Sequence, residues 1–141
     1  MMIKVMARPF LILILLSTSL LGSSTHVRTD PEQFMRTELY FGRNISERAE
    51  VSRKDFDKFL AEIITPRFPD GLTVLNAAGQ FLNSNGEVEK ERTVILVLFY
   101  PVSARKDKHL KVEEIREAYK VRFQQQSVLR VDHPEPLEVS F

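Results

Sequence analysis

Polar residues that could act together recur at alternate positions of several predicted strands. Alternation along a strand sends every second side chain to the same face of a sheet. If Leu39 and Phe41 of the first strand face the helices, Glu38 and Tyr40 face away. The same reasoning, applied to the later strands, predicts that six polar residues converge on one open face of the sheet. This predicted binding face consists of Glu38, Tyr40, Asn76, Gln80, Arg92 and Arg130.

Two interpretations of this predicted binding face remain open. In the first, Glu38 is a general base in an apolar pocket, and Arg92 or Arg130 holds an anionic substrate. In the second, the same residues form cross-strand pairs, such as Glu38 with Arg130, that fix strand register and bind nothing.

Other kinds of catalytic or metal site are not supported by the residue types. The histidines His26, His109 and His133 are scattered and lack the i,i+4 partner of a helical metal site. The sequence has no cysteine, no Gly-x-Ser-x-Gly motif and no glycine-rich phosphate loop. We therefore predict no metal and no cofactor, and we identify no catalytic residue.

The elements that must position these residues follow from hydrophobic periodicity. Strands are predicted over residues 36–43, 72–81, 92–100 and 127–132, and helices from Ser52 to Thr65 and over 111–125. The order β-α-β-β-α-β is the split βαβ arrangement. The predicted fold is α+β and ferredoxin-like, with one four-stranded antiparallel sheet and two helices on one face. Right-handed crossovers place the first and third strands at its centre.

The third predicted strand is apolar on both faces, which raises the question of what covers the open face. Its two apolar trios are Val94, Leu96 and Leu98, and Ile95, Val97 and Phe99. Two helices on one face leave the other trio exposed, and soluble monomers rarely expose such a large apolar patch. A homodimer packed sheet to sheet is the preferred interpretation. A tail of residues 137–141 that folds over the face, and a bound partner or apolar ligand, are the alternatives.

Several segments in this order resemble a known family. They are TELYFG (37–42), TPRFPDGLTV (65–74), AGQF (78–81), AYKVRF (118–123) and SVLRVD (127–132). Together they resemble the small exported bacterial proteins of the domain of unknown function 3574 family, over residues 36–141. The resemblance implies an exported bacterial protein, and it implies no established activity, cofactor or catalytic residue. Phe81 stands where members of this family commonly have Trp.

Charge and the N-terminus limit the cellular context. The 141 residues carry 20 Lys+Arg and 19 Asp+Glu, a net charge of +1 that argues against nucleic-acid binding. Residues 1–24 have the charged start, short apolar core and small-residue end of a signal peptide. We expect a flexible lead-in over 25–35, a single α+β domain over 36–141 and a periplasmic or secreted location. After cleavage we expect no membrane association, although an uncleaved anchor is the alternative.

Two classes of function follow from this sequence. The leading hypothesis is a non-catalytic exported module that binds a small ligand or another envelope protein. The alternative is a small cofactor-independent enzyme of the dimeric α+β barrel type. The alternative depends on analogy between folds, which is a weak basis for function.

Export makes a direct prediction about the N-terminus. Gly22 and Ser24 occupy the two small-residue positions of a signal-peptidase site, so cleavage should follow Ser24. N-terminal sequencing of the exported protein is expected to return Thr25 as the first residue. A sequence that begins at Met1 would contradict the prediction.

Overall fold

Two α-helices and seven strands form the part of the chain that the computed structural model describes, residues 31–46 and 49–140. The strands are β1 (Gln33–Gly42), β2 (Asn44–Ser46), β3 (Ala49–Glu50), β4 (Thr73–Leu82), β5 (Val88–Pro101), β6 (Leu129–Asp132) and β7 (Leu137–Glu138). The helices are α1 (Arg53–Phe59) and α2 (Arg105–Phe123). Within the described residues, neither is long and apolar enough to cross a membrane. The predicted signal peptide lies outside them.

The main sheet is antiparallel, with strand order β4-β5-β1-β6. The short strand β7 pairs with β1 beyond the end of β6, so the sheet has five strands instead of the predicted four. A separate small hairpin of β2 and β3 was not predicted from the sequence. The α+β class is confirmed, and the first and third predicted strands, β1 and β5, lie at the centre as expected.

Helix α1 begins where its N-cap predicts. Ser52 accepts a hydrogen bond from the backbone N–H of Asp55 at 3.1 Å, which satisfies one of the free donors of the first turn. The chain stays helical beyond the predicted end at Thr65. After α1, the chain forms a π-helical segment, Leu60–Ile64, and then a 3-10 turn, Thr65–Arg67, so the helical part ends at Arg67. Pro66 is tolerated because it occupies the start of that turn, where a missing N–H costs little.

Two predicted boundaries are corrected by the structure. The lead-in over 25–35 was expected to be flexible, but its last residues belong to β1, and Met35 is buried. Helix α2 begins at Arg105, six residues before the predicted start, because Lys108 packs inward. Its ammonium group lies over the ring of Phe68, 4.7 Å from the ring centre, and donates to the carbonyl of Arg67 at 3.3 Å. A cation over an aromatic face is stabilised by the ring quadrupole.

The core lies between the helices and one face of the sheet. Five aromatic side chains form its centre: Phe41 of β1, Phe56 and Phe59 of α1, and Tyr119 and Phe123 of α2. The rings of Phe41 and Tyr119 meet edge to face at 4.7 Å, and those of Phe59 and Tyr119 at 5.3 Å. Edge-to-face pairs add to the free energy gained by burial alone. This cluster holds both helices on the same side of the sheet.

Substitution of Phe59 tests how tightly the aromatic cluster of the core is packed. It is fully buried at the centre of the aromatic cluster, so Phe59→Ala is expected to lower the free energy of unfolding by about 3–5 kcal/mol. The measurement is a denaturant melt followed by circular dichroism. The control is Val121→Ala on the exposed side of α2, where 81% of the residue's surface is accessible. A loss below about 1 kcal/mol for Phe59→Ala would mean that the cluster is not tightly packed.

Candidate functional site

The strand register decides which polar residues share a face. In antiparallel pairs, directly opposite residues point to the same side. Glu38 lies opposite Val97 of β5 and Val131 of β6, and Tyr40 lies opposite Leu129. These residues form the open face of the sheet, the face turned away from α1 and α2. Glu38 and Tyr40 are therefore on the open face, as predicted.

Arg130 is on the opposite side from its predicted position. Leu129 and Val131 were expected to face the helices, but they face away and are 58% and 44% exposed. Arg130 turns toward α2 and pairs with Glu113 at 2.7 Å. The physical reason is that an ion pair with the helix is available to Arg130 only on the helix side. The exposed apolar side chains of this edge strand are left on the open face.

The remaining three predicted residues also lie on the helix side of the sheet. Asn76 is opposite Val94 and Gln80 is opposite Lys90, so both share the face of the buried residues of β5. Arg92 is on that face as well and pairs with Glu50 of β3 at 3.2 Å. The predicted convergence of six residues is therefore corrected, because only Glu38 and Tyr40 come together on the open face.

Glu38 and Tyr40 form a compact polar cluster with Arg36. The Tyr40 hydroxyl donates to the Glu38 carboxylate at 2.6 Å, and the Arg36 guanidinium pairs with the same carboxylate. The Tyr40 hydrogen bond and then the Arg36 charge lower the pKa of Glu38, and the same hydrogen bond raises the pKa of Tyr40. Nε of Arg36 is buried without an acceptor in the described part of the chain. Glu38 is thus a stabilised carboxylate and a weak base.

A second polar network lies on the helix side and connects β6 to the core. Asp132 accepts from the buried hydroxyl of Thr37 at 2.7 Å and pairs with Arg130 at 2.9 Å. Burial raises the pKa of Glu113 and Asp132, but their hydrogen bonds and the neighbouring positive charges, those of Arg130 foremost, together outweigh it and leave both pKa values below their ordinary values. The Tyr100 hydroxyl completes the network through Thr37 at 2.8 Å. Because every one of these groups has a partner, the network serves to hold β6 in register.

A pocket opens at the end of the open face where β4 and β5 approach their hairpin. Its volume is about 520 Å³, a size typical of small-molecule sites. Part of its lining is aromatic, apolar or acidic: Tyr40, Ile45, Phe81, Leu129, Glu89 and Glu91. The rest is mostly neutral and polar, from Asn44, Thr93 and residues 124–127 after α2. Among the described residues that line it there is no lysine, arginine or histidine. We call this the acidic pocket.

Gly42 allows Glu91 to approach the backbone at the floor of the acidic pocket. A Cβ at position 42 would collide with the Glu91 carboxylate in this position, so a larger residue there would displace that carboxylate. The same carboxylate accepts from the backbone N–H of Asn44 at 3.3 Å. Glu89, two residues earlier on β5, accepts from Asn83 at 3.0 Å. These contacts fix both carboxylates on the open face.

The sequence reasoning missed the acidic pocket because it began the third strand at Arg92. The structure begins β5 at Val88, so Glu89 and Glu91 belong to the strand and share one face. The Asn85-Gly86 turn was the available signal, since a tight hairpin joins strands that continue up to the turn. Phe81 lies directly opposite Glu89 on the open face. In the described part of the chain, no group of three or more His, Cys, Asp or Glu could hold a metal ion.

Comparison with known proteins establishes the family. Residues 36–141 match the family described as protein of unknown function (DUF3574), and the chain belongs to that family. No curated protein matches the sequence.

The solved structures that are similar in fold include a phage SAM lyase in two states. The complex with S-methyl-5'-thioadenosine has a TM-score of 0.57 and 14% identity, covering 84% of this chain and 97% of the lyase. The apo form has a TM-score of 0.54 and 12% identity, covering 77% and 92% respectively. At this identity the similarity shows a shared α+β fold.

The cluster around Glu38 predicts a specific pH dependence of stability. Because the pKa of Glu38 is lower in the folded protein than its ordinary value of 4.5, its contribution is complete above that value. The contribution is lost as the pH falls through the depressed folded pKa. Glu38→Gln is expected to lower the free energy of unfolding by about 1 kcal/mol at pH 7 and to have a smaller effect in acid.

Denaturant melts of the wild type and of Glu38→Gln at neutral and acidic pH measure this difference. Glu117→Gln is the matched control, because Glu117 is exposed and, among the described residues, forms an ion pair only with Lys120 on the surface of α2. An equal loss of stability for Glu38→Gln at both pH values would show that the carboxylate charge does not stabilise the cluster.

Proposed function

We propose that this chain is an exported, non-catalytic binding module that holds a small organic cation in the acidic pocket. The observation that carries the proposal is the pairing of carboxylates with aromatic rings in a cavity of about 520 Å³. Ligand sites combine an apolar wall with a few polar groups that fix orientation. Here the apolar wall is supplied by Phe81 and Leu129, and the polar groups are Glu89 and Glu91.

The charges around the pocket favour a cation over an anion or a neutral ligand. The nearby arginines, Arg43 and Arg92, both pair with Glu50. In the described part of the chain, Glu89 and Glu91 join no such ion pair, so their negative charge is not neutralised by the protein. A positively charged ligand in the pocket would therefore meet two carboxylates that no protein cation already holds.

The aromatic side chains of the pocket support the same ligand class. Tyr40 and Phe81 are contributed by different strands, β1 and β4, and both border the pocket. The negative face of an aromatic ring attracts ammonium and other organic cations. A ligand with a positive group and a flat or apolar part would use the carboxylates and the rings together.

Enzymatic activity is the second candidate, and the fold similarity to the phage SAM lyase is what favours it. That similarity covers 97% of the lyase chain, but it extends to the fold only. Glu38 does not support a role as general base, because a good base has a pKa close to the working pH. Its pKa is instead lowered by Tyr40 and Arg36. Binding without catalysis is therefore the better-supported function.

The proposal is tested by calorimetric titration with three organic cations, SAM, spermidine and choline. S-methyl-5'-thioadenosine serves as the neutral analogue of SAM. At least one cation is expected to bind, and if that cation is SAM, it should bind about ten-fold or more tightly than the neutral analogue. The double variant Glu89→Gln, Glu91→Gln should weaken cation binding by a similar factor. Glu117→Gln, on the surface of α2, is the control for loss of a carboxylate away from the pocket.

Two results would overturn the proposal. If none of the three cations binds, or if the double variant binds them as tightly as the wild type, the acidic pocket is not a cation site. Chromatography of the SAM mixture after incubation tests the second candidate. Formation of S-methyl-5'-thioadenosine that depends on the protein would establish an enzyme in place of a binding module.

A further inference from the structure

The open face of the sheet is apolar over much of its area. Three strands contribute its exposed side chains: Leu75 (48% exposed), Phe81 (51%), Phe99 (42%), Leu129 (58%) and Val131 (44%). Val97 of β5 lies at the centre of this face, directly opposite both Glu38 and Thr73. Soluble monomers rarely leave so many neighbouring apolar side chains in water.

Neither the helices nor the described strand of the tail covers this face. Helices α1 and α2 pack on the opposite side, against Leu39, Phe41 and Leu96. The tail was one predicted cover, but β7 extends the sheet sideways by pairing with β1, Gln33 with Glu138 and Phe34 with Leu137. The tail of residues 137–141 was predicted to fold over the face, but its described strand, Leu137–Glu138, lies beside β1 instead.

We propose that a second copy of this chain covers the open face, packed sheet against sheet around a two-fold axis. The available area fits this occupant. A four-stranded face with strands about 4.8 Å apart and about 30 Å long spans roughly 600 Å² per copy. Two such faces bury roughly 1,200 Å², which reaches the lower end of stable, specific protein interfaces.

The charges at the centre of the open face are compatible with self-association, and the acidic residues Glu89 and Glu91 lie at its end. Near its centre it carries one cation, Arg36, and one anion, Glu38, which already pair with each other. A two-fold axis brings the same patch of both copies together. A patch of one sign would repel its copy, whereas this neutral patch does not, and a rotated copy can place each Arg36 near the other copy's Glu38.

A second copy would also complete the acidic pocket. The pocket borders the open face at Tyr40 and Leu129 and is partly open to solvent. Binding sites usually enclose most of their ligand, and a sheet packed over the open face would supply the missing wall. This consequence depends on the proposed function, but the association itself does not.

The test compares two single substitutions of exposed apolar residues by sedimentation velocity across the micromolar range. Leu75→Glu places a charge on the open face, and Val121→Glu places the same charge on α2, away from that face. Both residues are exposed in the single chain, so both variants should fold, which circular dichroism checks. The wild type and Val121→Glu are expected to be dimers. Leu75→Glu should raise the dissociation constant about 100-fold or more.

Leu129→Glu is a second variant on the same face and is expected to act in the same direction. A wild type that stays monomeric at high micromolar concentration would overturn the proposal. A different partner would then have to cover the open face. Equal dissociation constants for the wild type, Leu75→Glu and Leu129→Glu would overturn it too, because the dimer would then use another surface. Cation binding by a monomeric protein would preserve the proposed function while rejecting the dimer.

Discussion

The pairing of β1 with β5 on one side and β6 on the other is the constraint on which the rest of the structure depends. It sets which residues of β1 point to the helices, and through the register it sets the same choice for both neighbours. A shift of one residue would exchange the two faces. It would move Leu39 and Phe41 out of the core and bring Glu38 and Tyr40 into it. The apolar core and the polar cluster are two results of the same alignment.

This alignment also divides the charged residues between the two faces. On the helix side, Arg130 is held between Asp132 and Glu113, so the edge strand is tied to α2. On the open side, Glu38 is neutralised by its neighbour Arg36. Glu89 and Glu91, farther along β5, remain without such cations in the described chain. A layer of helices on one side only thus leaves an open face with a neutral centre and an acidic end, which is the physical basis of both proposals.

The fold was largely predictable because its signals are local. The N-cap at Ser52, the alternation along the strands and the Asn85-Gly86 turn depend on neighbours a few residues away. Errors occurred where a distant contact overrides local preference. Helix α2 extends into a polar segment because Lys108 finds Phe68 and the carbonyl of Arg67. Residues 105–110 contain few apolar side chains, so the sequence shows no helical periodicity in the first part of α2.

The candidate site was predictable only in part. The sequence by itself determined the family, the α+β order of elements and the alternation that separates Glu38 and Tyr40 from the core residues beside them. The sequence could not decide which face of β6 turns toward the helices, because the side chains of a strand alternate in the same way whichever face turns inward. Only the tertiary structure made that decision, through the ion pair of Arg130 with Glu113. It also decided where the acidic pocket forms, because Gly42 and Glu91 meet only when β1 and β5 lie side by side.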